Sequence, residues 1–134
     1  MQMVNYKFVG EQLNNIITRA SVAAEKGGNE ICGLLVNNGY FIEVIETKNK
    51  IKRGGGFAFY AREIHYIESA VTILGHEILG TFHSHPMYIA QPSESDIANA
   101  VDDSLMLIID VLDKNVGLWY IKDMKKTPLE MTII

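Results

Sequence analysis

The chain has one cysteine, Cys32, in 134 residues. That excludes an intrachain disulfide and any structural zinc site built from several thiolates. A basic excess is also missing: the formal charge is −4 and the pI about 5.5, whereas a general nucleic-acid binder presents a basic stripe. The local cluster Lys48, Lys50, Lys52 and Arg53 reads as a solvated strand end or as a contact for an acidic partner. No apolar run approaches the roughly 20 residues of a membrane span. The opening Met1-Gln2-Met3-Val4-Asn5-Tyr6-Lys7 lacks the apolar stretch of a secretory signal. No nucleic acid and no membrane are therefore expected as partners, and the cytoplasm is the default compartment. Several catalytic signatures are absent as well. There is no Gly-x-Ser-x-Gly elbow. His76-Glu77 does not open a helical His-Glu-x-x-His site, because the fifth position is Gly80. The Pro-Cys-x-x-Cys of the zinc deaminases needs more thiols than the chain has.

What is present is an ordinary globular composition, 48% hydrophobic and 21% charged, in a length that suits one domain over 1–134. Val9, Leu13, Ile16, Ile17, Ala20 and Ala24 recur at helical spacing and predict a helix over 10–26, ended by Gly27-Gly28. Apolar runs over 31–36 and 40–46 flank Asn37-Asn38-Gly39, a hairpin signal. Gly54-Gly55-Gly56 reads as a flexible joint before Phe57-Ala58-Phe59-Tyr60. A second helix carries Ile64, Ile67, Val71 and Leu74 on one face and stops at Gly75. A strand follows, then a third helix from Ser93 to about Val101, then strands over 105–112, 116–121 and 129–134. Turns are expected at 113–115 and 123–126. The expected fold class is α/β: a mixed, mainly antiparallel sheet flanked by helices.

The strand after the second helix carries the chain's most informative segment, His83-Ser84-His85-Pro86 through Asp96. Strand side chains alternate, so His83 and His85 point to one side and can share a cation. Asp96, one turn into the next helix, supplies a third ligand. Three protein ligands with a position left for water is the catalytic zinc arrangement, in which the pKa of the bound water falls to roughly 7. Ser93-x-x-Asp96 also fits a helix capping box, with no metal required. A His-x-His pair by itself is equally consistent with packing. Their joint occurrence across a proline-containing loop favours zinc.

His83-Ser84-His85, seven residues, Ser93, two residues and Asp96 resemble the signature of the JAMM/MPN+ zinc metallopeptidases. Asn29-Glu30-Ile31-Cys32-Gly33-Leu34-Leu35 is similar to that family's Glu-x-Cys-Gly-Leu strand opening, and the likeness spans about residues 8–122. The resemblance implies the JAMM/MPN fold, a curved sheet between helices of cytidine deaminase-like type. It implies Zn2+ held by His83, His85 and Asp96, Glu30 as general acid/base, and Ser93 as a hydrogen-bond donor to the oxyanion. Cys32 reads as a small buried residue, and His65 and His76 receive no role. The loops are short, as in the compact prokaryotic members. The expected substrate is then a ubiquitin-like or sulfur-carrier protein, cut after a C-terminal Gly-Gly that adds as an extended strand. Met87, Tyr88 and Ile89 are expected to line a hydrophobic edge for that tail, or simply to pack. Two other readings stay open: a silent MPN-type scaffold and a phage-associated peptidase of the same superfamily. Met131-Thr132-Ile133-Ile134 either mediates a homodimer or completes the core.

Overall fold

Whether an apolar run in this chain alternates or is continuous follows from how many faces of the sheet are covered. The computed structural model describes residues 6–52, 55–87 and 89–134. Residues 1–5, Arg53, Gly54 and Tyr88, on which parts of the readings above fall, lie outside the described residues. The elements are β1 (Tyr6–Phe8), α1 (Gly10–Glu25), β2 (Cys32–Asn37), β3 (Ile42–Thr47), α2 (Ala61–Ile73), β4 (Glu77–His85), α3 (Glu94–Asn99), β5 (Ser104–Asp110), β6 (Asn115–Lys122), β7 (Lys125–Leu129) and β8 (Met131–Ile133). Strands β3-β2-β4-β5-β6-β7 form the main sheet in that order. Within that sheet the β4–β5 pair is parallel and the other described pairs are antiparallel. The architecture is the expected α/β one.

β5 is buried on both faces, so it reads as an unbroken apolar run. Leu105, Leu107 and Ile109 meet the α1 side, with Leu13, Ile16 and Ala20. Met106 and Ile108 meet the other side, with Ile97 and Ala100 from the α3 region. On that second side α2 lays Ile64, Ile67 and Val71 over Leu34, Val36 and Ile78. Leu74 departs from the expected apolar face: the helix ends at Ile73, and Leu74 is 64% exposed at the cap. Gly75, at φ 71°, takes the left-handed conformation that turns the chain into β4.

The structure corrects four boundaries. The β2–β3 connection is displaced from the expected Asn37-Asn38-Gly39 to residues 38–41, since the register closes at Asn37↔Ile42. Asn38 Oδ1 stabilises it by accepting the N–H groups of Tyr40 and Phe41, at 2.9 and 3.0 Å. The third helix is shorter than expected and stops at Asn99. Lys125 and Lys126 belong to β7 rather than to a turn, and the reversal is confined to Asp123 and Met124, both at positive φ. The last predicted strand splits. Lys125–Leu129 closes the main sheet, whereas Met131–Ile133 leaves it to pair in parallel with β1. Gly10 N–H to Ile134 C=O and Ile134 N–H to Phe8 C=O, each 2.9 Å, bind the C-terminal segment to the start of the chain.

Gly80 sits where β4 runs beside β5. A Cβ there would lie 1.8 Å from the Leu105 carbonyl oxygen, which is backbone and has no rotamer to yield. Gly80→Ala is therefore expected to lower stability by about 1–3 kcal/mol, as overpacked cores do. A thermal melt should fall by roughly 5–15 °C; an unchanged melt would contradict this close approach.

Candidate metal centre

β4 presents His83 and His85 on the sheet face opposite α1, as strand alternation requires. Both imidazoles are buried. The loop after β4 then brings the first turn of α3 across them. His83 Nε2, His85 Nε2 and Asp96 Oδ2 form a triangle with edges of 3.0, 3.1 and 3.1 Å. Ligand atoms around a tetrahedral zinc, each about 2.0–2.1 Å from the ion, stand about 3.4 Å apart. The observed triangle is slightly tighter, which side-chain rotations of a few degrees accommodate.

The donor chemistry decides what the triangle accepts. His85 Nδ1 lies 2.9 Å from the Ile89 carbonyl. A carbonyl only accepts, so Nδ1 carries the proton and, in the neutral ring, Nε2 turns a lone pair inward. There it faces the Asp96 carboxylate oxygen and a second imidazole nitrogen. Two imidazole nitrogens and a carboxylate oxygen converging in this way can share a cation. The residues present thus fit a divalent metal with N and O ligands.

Asp96 is held by the capping box and also faces the histidines, so the two readings of Ser93-x-x-Asp96 are compatible. Ser93 N–H donates to Asp96 Oδ2 at 2.9 Å, and Asp96 N–H donates to Ser93 Oγ at 3.1 Å. Because Ser93 Oγ accepts from α3, its own proton remains free to donate. Burial, the largest single influence on the Asp96 carboxyl, pushes it up. Hydrogen bonds with His83, His85 and Ser93, with the charge of His83, outweigh that and hold it far below the usual carboxylate range. His85 shows the complement: burial pulls it down, but Asp96, Ile89 and the negative charge of Glu30 together raise it.

Glu30 reaches this centre through strand register. β2–β4 pairing sets Cys32 opposite His83. Just before β2, Ile31 N–H donates to Ser84 Oγ at 2.9 Å, and Ser84 N–H donates to the Ile31 carbonyl at 3.0 Å. Continuing that register sets Glu30 opposite His85. The Glu30 side chain is half-buried, and its Oε2 accepts Gly56 N–H at 2.7 Å. Cys32 lies outside the ligand triangle. It is fully buried against Thr47, and burial pushes its thiol up to about 11, so it is a poor nucleophile. His65 is in α2 and His76 precedes β4.

Sequence reasoning passed over the groups that hold the ligands. The Ile89 carbonyl sets the His85 tautomer. Phe57 stacks on His83, with ring centroids 4.6 Å apart and planes at 25°. The sole tryptophan, Trp119, donates from Nε1 to the Ala90 carbonyl at 2.9 Å and so fixes the loop next to Ile89. None of these has a sequence signal beyond its residue type. Met87 and Ile89 are exposed at 72% and 62%, and Tyr88 between them lies outside the described residues. A cavity of about 600 Å3 runs from Asp96 along the sheet between α2 and α3, over Phe59, Ile64, Ile78 and Met106.

The family model described as prokaryotic homologs of the JAB domain matches residues 14–124. Among curated proteins none matches the chain. Solved structures do. A protein from Desulfitobacterium hafniense superposes at a TM-score of 0.79 with 24% identity, covering 96% of this chain and 92% of that one. A JAB1/MPN domain protein from Archaeoglobus fulgidus gives 0.59 with 19% identity, covering 92% and 94%. A structure described as JAMM, a metalloprotease-like zinc site in the proteasome and signalosome, gives 0.50 with 15% identity, covering 99% of each chain. At these identities the likeness shows the fold alone.

Proposed function

The chain belongs to the prokaryotic homologs of the JAB domain, and on that premise we propose that it is a zinc-dependent peptidase or isopeptidase. Its substrate is the C-terminal Gly-Gly tail of a ubiquitin-like or sulfur-carrier protein, cut from whatever follows it. The observation that carries the reading is the convergence of two imidazole nitrogens and one carboxylate oxygen within 3.0–3.1 Å, with the Ile89 carbonyl turning a lone pair into the centre.

His83, His85 and Asp96 would hold the metal. When bound there, zinc would supply Lewis acidity toward a carbonyl and a lowered pKa for water. Glu30, across from His85, accepts the proton of that water and delivers it to the departing amine. Ser93, whose Oγ already accepts from Asp96 N–H, donates its free proton to the oxyanion, a contribution of about 3–4 kcal/mol when such a donor is well placed. The cavity ending at Asp96 receives the extended tail, and glycines at its end pass close to the backbone where side chains would not fit.

The test is direct. The purified chain is expected to contain stoichiometric zinc and to cleave a ubiquitin-like protein extended beyond its Gly-Gly. Cleavage is expected to stop with a chelator and return with zinc. A protein that contains little zinc and cuts no such fusion supports the scaffold reading instead, and equal cleavage by metal-free protein overturns the mechanism.

A further inference from the structure

Residues 49–58 have neither helical nor strand periodicity, yet one side chain among them makes four hydrogen bonds. Asn49 Nδ2 donates to the Glu30 carbonyl at 2.9 Å and to the Gly56 carbonyl at 3.1 Å. Its Oδ1 accepts Ile51 N–H at 3.0 Å and Ala58 N–H at 3.1 Å. Carbonyls at one end of the amide and N–H groups at the other fix its orientation. Lys50 N–H to the Ala58 carbonyl, 2.9 Å, closes the same loop through the backbone.

The segment gripped in this way touches the centre twice. Gly56 N–H donates to Glu30 Oε2 at 2.7 Å. Phe57, bracketed by the Gly56 carbonyl and the Ala58 N–H that Asn49 binds, stacks on His83. That stacking matters because His83 Nδ1 is buried and finds no hydrogen-bond partner among the described residues. His85 is oriented by a hydrogen bond to Ile89, whereas His83 is oriented by the Phe57 ring. Phe59 in turn meets Phe57 edge-on at 5.5 Å and backs it from the α2 side.

We propose that Asn49 is a positioning residue: it clamps residues 56–58 as a strap that aims the Glu30 carboxylate through Gly56 and seats His83 through Phe57. The role rests on the reading of Glu30 as acid/base given above. The clamp joins backbone groups of Glu30, Ile51, Gly56 and Ala58 by one amide, with both ends of that amide saturated. An acid in its place keeps the two acceptor bonds but sets a carboxylate oxygen against the carbonyls of Glu30 and Gly56. Asn49→Asp therefore opens the strap with almost no change in volume, and Asn49→Ala opens it without adding charge.

The full, zinc-loaded chain carries the test, through hydrogen exchange at the Gly56 amide and through kcat and KM on a Gly-Gly fusion. In both Asn49 variants Gly56 is expected to exchange roughly tenfold faster or more, while amides in β4 and β5 keep their protection. Turnover per zinc-loaded site is expected to fall about 10–100-fold, with KM within about twofold, because misaimed catalytic groups lose transition-state rather than ground-state stabilisation. Phe57→Leu leaves Asn49 in place; it is expected to keep Gly56 protected and to weaken zinc binding about tenfold, as lost outer-shell support does. Unchanged Gly56 exchange in the folded Asn49 variants overturns the clamp. So does a lower melting temperature with unchanged turnover per loaded site, which marks a purely structural residue. Unchanged zinc affinity in Phe57→Leu overturns the seating of His83. Gly56 exchange is readable whether or not the chain cleaves peptides, so absence of activity defeats the peptidase reading while exchange still decides the clamp.

Discussion

Glu30→Gln is expected to leave zinc content unchanged and to cut turnover by about 10²–10⁴-fold, the usual contribution of a positioned acid/base. Glutamine matches glutamate in length and volume, and its Oε1 can still accept the Gly56 N–H that now meets Glu30 at 2.7 Å. The strap and the β2–β4 register are thus preserved. What is removed is the capacity to take a proton from water and return it to a leaving amine. Glu30 is not in the triangle formed by His83, His85 and Asp96, so the metal should remain. Zinc analysis beside single-turnover cleavage of a Gly-Gly fusion checks both halves. A variant of full activity would show that proton transfer runs through another group, and a variant without zinc would place Glu30 among the ligands.

The three residues that converge at the candidate centre were readable in the sequence, and the groups packed beside them were not. His83 and His85 share a face because strands alternate, a local rule that needs no knowledge of neighbours. Asp96 lies one turn into the helix that Ser93-x-x-Asp96 starts, a spacing that by itself needs only a cap; its pairing with His-x-His is what pointed to a metal. Glu30 has no such warrant: it sits more than fifty positions upstream, and it falls across from His85 only when the β2–β4 register is continued past Cys32↔His83 and Ile31–Ser84. Its family resemblance identified it; local pattern did not. Asn49 and Phe57 lie one step further away, since their partners are backbone groups and a ring face, and neither leaves a trace in periodicity. The same distinction runs through the fold. β5 was legible because burial on both faces writes a continuous apolar run. β7, with Lys125, Lys126 and Pro128 on an edge of the sheet, carries the charges and the proline that protect edges from further pairing, and these mask it as a turn. β1 is three residues long and exists because β8 lies beside it, a contact between opposite ends of the chain.

His83→Ala and Asp96→Asn are both expected to remove the metal and reduce cleavage to background, yet to differ in the stability of the metal-free protein. Each takes away one of three ligands, so zinc affinity should fall well beyond the roughly 100-fold that outer-shell changes reach. Asp96→Asn achieves this almost entirely by removing charge. An asparagine oxygen can still accept Ser93 N–H, and Ser93 Oγ still accepts the N–H of residue 96, so the cap on α3 survives. Its melting temperature without metal should fall, by what the ionised carboxylate gains from His83 and His85, but by less than that of His83→Ala. His83 is fully buried beneath Phe57, and its removal opens a cavity between that ring and the sheet. A loss of about 2–4 kcal/mol is expected by analogy with other large-to-small core changes, offset in part because an unpaired buried Nδ1 disappears with the ring. Zinc content, cleavage and melting of the chelator-treated proteins therefore separate what each ligand does for the metal from what it does for the fold. If Asp96→Asn melts as low as His83→Ala, the carboxylate charge stabilises the metal-free site as much as the buried ring does. If either variant keeps zinc and activity, the centre is not the triangle of His83, His85 and Asp96.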